Sequence, residues 1–195
     1  MKKNRLYSFL VVIVKAICKI IYPTRVIGVE NVPEGAAIVC ATHSNYIDPL
    51  LLAIAFGGKD PIHFMGKKEL FKIPVLRGLM RALGAFPVDR GTSDITSIRT
   101  AMRFLKDGEK VGIFPEGTRA SEDEEADAKT GAIRLASKMK VPVIPVYLTR
   151  GKVIFRKVDL IIGTPYYITG EKRGEYETLS QELMSKIYEL RDTAK

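Results

Sequence analysis

The sequence predicts an α/β domain, with a mixed, mainly parallel sheet flanked by helices and an amphipathic helix ahead of it. Short β-rich runs alternate with longer helical runs after Pro23, as strands and crossover helices do. A length of 195 residues with 46% hydrophobic content is enough for one well-buried domain and too little for two comfortable ones. Residues 1–24 form a membrane-anchoring helix and residues 25–195 a single domain.

The first element is a helix from Leu6 to Ile21. Its 16 residues span roughly 24 Å against about 30 Å of hydrocarbon, and Lys15 and Lys19 interrupt it, so a full crossing is not expected. On a helical wheel Asn4, Ser8, Lys15 and Lys19 share one narrow stripe and the rest is mostly apolar, as in a helix sunk in one leaflet. A core helix or a signal peptide are the other readings; no small-residue cleavage site follows Ile21. The strands are then Arg25 to Val29, Ala36 to Ala41, Ile62 to Gly66, Ala85 to Val88, Lys110 to Phe114, Val143 to Thr149 and Val153 to Ile162. Between and after them lie helices at Pro49 to Phe56, Ile73 to Leu83, Ser93 to Lys106, Thr130 to Met139 and Glu175 to Arg191. The acidic stretch Ser121 to Ala128 reads as a solvated mobile loop.

Charge narrows the partners. Of a net +9, Lys2, Lys3, Arg5, Lys15, Lys19 and Arg25 contribute six positive charges with no acidic residue among the first 25 positions, leaving +3 for the rest. Apolar residues interleave with these cations, which suits an anionic membrane surface and not a nucleic-acid backbone. A second cluster, Lys67, Lys68, Lys72, Arg77 and Arg81, is mostly a solvated face that can also help grip such a surface. Cys18 and Cys40 have no metal or redox spacing and read as buried small hydrophobes. P-loop, dinucleotide and zinc-protease motifs are absent, so no cofactor and no metal is expected.

His43 and Asp48 stand in Thr42-His43-Ser44-Asn45-Tyr46-Ile47-Asp48-Pro49, and the only other histidine is His63, in an apolar strand with only Asp60 as a nearby carboxylate. An imidazole can take a proton from an alcohol near neutral pH, and a carboxylate on its far nitrogen fixes the tautomer and stabilises the imidazolium. Five steps along a regular helix would turn the two apart by about 140°, so the pairing needs a turn. Asp48-Pro49 supplies one, since Asp caps helices and Pro starts them. An Asp before Pro caps a helix equally well without chemistry. The loop then sits at the carboxyl edge of a strand, where α/β proteins place ligands. Phe114-Pro115-Glu116-Gly117-Thr118-Arg119 follows another apolar strand. There Gly117 permits a sharp turn, Thr118 adds a hydroxyl donor, Arg119 can fork onto a phosphate, and Glu116 can accept from a hydroxyl or anchor the arginine. Taken alone, that loop also reads as a surface turn.

Thr-His-Ser-Asn-Tyr-Ile-Asp at 42–48, Gly-Ala-Phe-Pro-Val-Asp-Arg at 84–90, Phe-Pro-Glu-Gly-Thr-Arg at 114–119 and Val-Pro-Val-Ile-Pro-Val at 141–146 resemble, in order and spacing, the four motifs of the glycerolipid acyltransferases, in particular the bacterial 1-acylglycerol-3-phosphate acyltransferases. The resemblance covers about Arg25 to Thr149. It implies a fatty acyl chain moved from acyl-CoA or acyl-carrier protein to the free hydroxyl of lysophosphatidic acid, giving phosphatidic acid. His43 is then the general base and Asp48 its orienting partner. Lys67 (or Lys68), Arg90, Glu116, Gly117, Thr118 and Arg119 hold the glycerol phosphate, and Pro145 shapes the acyl-donor side. It further implies a peripheral or monotopic protein on the cytoplasmic face of the cell inner membrane. A different acceptor (glycerol 3-phosphate, another lysophospholipid or a lyso-aminolipid), or a non-catalytic lipid-binding protein, are the alternatives. Two positions depart from many relatives: Thr42 stands where they have Asn, and Ala120 where they have Ser. Neither removes a catalytic group. An activated thioester needs only a base and a positioned hydroxyl, so the absence of a G-x-S-x-G nucleophile motif is consistent.

Overall fold

A computed structural model describes residues 5–57, 61–82, 84–89, 95–117, 128–169 and 174–193, with backbone alone at 5–12, 75 and 82. Seven strands, β1 (Thr24–Ile27), β2 (Ala37–Ala41), β3 (Ile62–Lys67), β4 (Phe86–Val88), β5 (Lys110–Ile113), β6 (Val143–Leu148) and β7 (Val158–Ile162), form one sheet in the order β1-β7-β6-β2-β5-β3-β4. The five strands from β6 to β4 run parallel; β7 is antiparallel to β6, and β1 runs with β7. The expected mixed, mainly parallel sheet is therefore observed.

The helices are α1 (Arg5–Ile21), α2 (Asp48–Phe56), α3 (Pro74–Ala82), α4 (Ile95–Lys106), α5 (Gly131–Met139) and α6 (Tyr176–Asp192). Side chains of a strand alternate between faces, and β2 divides accordingly. Ala37, Val39 and Ala41 join Leu51, Leu52 and Phe56 of α2 in one core cluster. Ile38 and Cys40 join Ala101 and Leu105 of α4, Ile133 and Leu135 of α5, and Leu183 and Ile187 of α6 in the other. Covered on both faces, β2 is apolar at every position, as the central strands of such sheets are. Full burial of one such large aliphatic side chain contributes about 1.5–3 kcal/mol. Burial also pushes the Cys18 and Cys40 thiols up, which keeps both protonated and inert.

One expected strand starts late. Val153-Ile154 has strand composition, yet β7 begins at Val158. Phe155 turns the chain at a left-handed φ of 62°, and its N–H donates to the carbonyl of Ile21, at the end of α1, at 2.6 Å. In α1, Cys18 is buried against the domain while Ile13, Ile17 and Ile20 face outward. Among the described residues no helix is long and apolar enough to cross a membrane.

Register sets the site. Cys40 of β2 lies opposite Ile113 of β5 and Pro145 of β6, and Ala41 opposite Val146. The loops leaving β2, β5 and β6 therefore emerge side by side at one carboxyl edge. The chain leaves β2 toward β3 and leaves β5 toward β6, so the edge between them is a switch point, where a crevice opens.

Candidate active site

His43 follows β2 by two residues, and Thr42 between them closes the strand end. The Thr42 hydroxyl donates to the Leu148 carbonyl at 2.9 Å and accepts from the Leu148 N–H at 3.0 Å, tying β2 to the last residue of β6. Thr42 thus serves as a side-chain extension of the sheet.

Asp48 is fully covered, and one of its oxygens organises the turn. Oδ2 accepts from the N–H groups of Ser44 and Asn45, each at 2.7 Å, and lies 3.0 Å from Nδ1 of His43. This differs from a helix N-cap: the carboxylate reaches back into the 43–48 turn, and Ile47 precedes α2 as its cap. Burial by itself pushes the Asp48 carboxyl up, but the His43 hydrogen bond, the charge of Lys152 and the Asn45 N–H outweigh it and hold the group below its ordinary value. An ionised carboxylate can only accept, so Nδ1 of His43 carries the proton and Nε2 is left as the ring's acceptor. The imidazole stacks on Phe114 with 4.1 Å between centroids, which fixes the ring plane.

The other Asp48 oxygen meets a residue that sequence reasoning missed. Lys152 Nζ lies 2.7 Å from Oδ1, an ion pair in which both side chains are fully covered, and donates to the Ser44 hydroxyl at 3.1 Å. Burial pulls the Lys152 ammonium below its ordinary value, with the Asp48 charge opposing. Lys152 thereby pins both the carboxylate that holds the ring and the residue after His43.

Glu116 is also turned inward. Arg150 donates to its Oε1, while Oε2 accepts from the His43 backbone N–H at 3.3 Å; Arg150 donates in addition to the Tyr188 hydroxyl at 2.9 Å. Burial pushes the Glu116 carboxyl up, against the pull of Arg150 and the His43 N–H. The sequence reading had Glu116 meet the acceptor or Arg119. Its side chain has no exposed surface, and in this structure it anchors His43 from beneath. Arg150 and Lys152 thus grip two loops at once from either side of Gly151, whose φ is 56°. Gly117 closes the 114–117 turn at φ 71°, with its N–H on the Phe114 carbonyl at 3.0 Å, and a Cβ there would meet the Lys129 side chain at 3.1 Å.

Lys67 ends β3 at the same sheet edge, exposed, with Glu69 at 4.0 Å. Arg90, Thr118 and Arg119, and the 121–127 stretch expected as a mobile loop, lie outside the described residues. His63 has other partners: Nδ1 donates to the Gly84 carbonyl at 2.9 Å, and Nε2 lies 2.8 Å from Glu109, a carboxylate that the sequence reading does not pair with it.

With this geometry in place, comparison with known proteins is direct. The profile of the family described as Acyltransferase matches residues 23–149. The chain belongs to the acyltransferase family. The 1-acyl-sn-glycerol-3-phosphate acyltransferase of Bacillus subtilis is 38% identical to this acyltransferase over 168 residues, 83% of each chain. The protein of the same description from Streptococcus pneumoniae is 32% identical over 167 residues, 81% of this chain and 61% of that one. The crystal structure of the 1-acyl-sn-glycerophosphate (LPA) acyltransferase PlsC from Thermotoga maritima matches with a TM-score of 0.71 and 26% identity, covering 98% of this acyltransferase and 84% of that chain. All four blocks of this acyltransferase lie within the family match, and so does Thr42. Arg150 and Lys152 fall just beyond its end.

Proposed function

We propose that the protein transfers a fatty acyl chain from an acyl-CoA or acyl-carrier-protein thioester to the free hydroxyl of 1-acylglycerol 3-phosphate, forming phosphatidic acid. The observation that carries this reading is the buried Asp48 carboxylate on His43 Nδ1 at 3.0 Å, within a chain of this family. The acceptor hydroxyl gives its proton to His43 Nε2 as its oxygen attacks the thioester carbonyl. The C–S bond then breaks, and the departing thiolate takes the proton from the imidazolium. Such a base contributes typically about 10²–10⁴-fold, the remainder coming from positioning of two bound substrates.

Lys67, Arg90, Gly117, Thr118 and Arg119 bind the glycerol phosphate in this reading, with Arg90 and Arg119 as the forked donors to the anion. Glu116 supports them by fixing the backbone at His43. Exposed Ile13, Ile17 and Ile20 on α1, with exposed Lys19 on the helix's polar stripe, support peripheral attachment to the anionic, cytoplasmic face of the inner membrane, where the lipid acceptor resides. The test supplies lysophosphatidic acid, glycerol 3-phosphate and lysophosphatidylcholine separately to purified protein with acyl-CoA or acyl-carrier protein and follows the acylated products. Phosphatidic acid formed fastest from lysophosphatidic acid supports the reading; preference for either other acceptor overturns it.

A further inference from the structure

Three consecutive large apolar side chains stand in solvent beside the catalytic turn. Val153, Ile154 and Phe155 are 58%, 56% and 68% exposed, at the tip of the β6–β7 connection. Core formation does not explain them. Phe155 holds a left-handed φ of 62°, a strained conformation for a bulky residue that this fold maintains with the aromatic ring outward.

The tip is joined to α1. Its Phe155 N–H bonds the Ile21 carbonyl at 2.6 Å, and Val158 N–H bonds the Pro23 carbonyl at 2.9 Å, so the connection runs along the end of the helix. On α1, Ile13, Ile17 and Ile20 lie within about 60° of one another on the wheel, opposite buried Cys18. Cations flank the tip: Arg156 and Lys157 follow it directly, both exposed. An apolar surface rimmed by cations matches an anionic bilayer, whose headgroups would face the cations while the acyl region received the apolar side chains.

We infer that Val153-Ile154-Phe155 is a second membrane-inserting element, which enters an anionic bilayer together with the Ile13-Ile17-Ile20 face of α1. The inference rests on the reading of α1 as bilayer-facing, and not on which acceptor is acylated. It has a mechanical consequence. Lys152, immediately before the tip, holds Asp48 and Ser44, so a tip seated in lipid places the His43 turn at the headgroup level. Tyr46, 77% exposed in that same turn, is an amphipathic side chain suited to such an interface. The acceptor hydroxyl would then reach His43 without leaving the membrane.

The test compares three full-length proteins: wild type, a tip variant (Val153→Ser, Ile154→Ser, Phe155→Gly) and a helix variant (Ile13→Ser, Ile17→Ser, Ile20→Ser). Glycine at 155 relieves the left-handed strain, and circular dichroism with a melting curve checks each fold. Binding is measured by co-sedimentation with phosphatidylcholine vesicles with and without phosphatidylglycerol. The inference predicts that the tip variant loses affinity for the anionic vesicles by at least about 30-fold. It also predicts that this variant keeps the wild-type rate on a short-chain, monomeric lysophosphatidic acid while losing rate on vesicle-borne substrate. A tip variant that sediments like wild type overturns it, as does one that loses only self-association in analytical ultracentrifugation. If the helix variant alone binds normally, the reading of α1 fails instead. Absence of acylation with any acceptor refutes the proposed reaction and leaves the sedimentation result intact.

Discussion

Replacing Lys152 by methionine deletes the cation from a covered ion pair while keeping the length of the apolar stem. At the observed 2.7 Å the pair is worth roughly 6 kcal/mol before desolvation at an effective dielectric of about 20. Removing one partner of a buried pair typically costs about 3–5 kcal/mol, because the other charge is left uncompensated. Asp48 keeps three donors on Oδ2, which places the expected loss near the lower end, about 3 kcal/mol. The assay is urea unfolding of wild type and Lys152→Met at one pH. Folded Lys152→Met makes a second prediction: with the ammonium gone from Asp48 Oδ1 and the Ser44 hydroxyl, the 43–48 turn loses an anchor and kcat falls. A stability change below about 0.5 kcal/mol together with an unchanged kcat would refute the role assigned to this lysine.

Thr42→Val removes a hydroxyl that satisfies both the N–H and the carbonyl of Leu148. It is expected to cost about 1–3 kcal/mol in urea unfolding. Acid stability follows from Asp48, whose folded carboxyl is held below its ordinary 3.8. Its contribution is complete above that value and is lost as pH falls through the lower, folded value. Wild-type stability should therefore drop steeply below about pH 4, and Asp48→Asn should flatten that drop. Glu116 works in the opposite sense: with its carboxyl raised, its contribution is present below its ordinary 4.5 and is lost as pH rises through the folded value. Unfolding midpoints measured across the acid range on the two proteins separate these contributions.

The α/β order was legible because strands covered on both faces leave continuous apolar runs, and Ala37–Ala41 and Val143–Leu148 are buried throughout. Val153-Ile154 was misread for a related reason. Composition reports apolarity and β-branching but not the left-handed turn at Phe155, which turns that apolarity toward solvent. In the site, His43 and Asp48 were legible because a five-residue turn brings them together locally. Arg150 and Lys152 were not, because their partners Glu116 and Asp48 lie far back along the chain and meet them only through the β6-β2-β5 order. A signal did exist: Thr149-Arg150-Gly151-Lys152 sets two cations directly after an apolar strand, as His43 and Glu116 directly follow theirs. Applied to every strand end, that criterion finds the tripeptide. For Glu116 the sequence offered Arg119 as a neighbour, and the fold supplied Arg150 from across the sheet.

The central claim is that His43 Nε2 takes the acceptor's proton. The most direct measurement is the rate of CoA thiol release from acyl-CoA with lysophosphatidic acid in detergent, for wild type and a His43→Ala variant whose fold matches wild type. A loss in kcat of about 10²-fold or more is the predicted result. A folded His43→Ala that releases thiol at the full rate would contradict it and remove this histidine from the reaction.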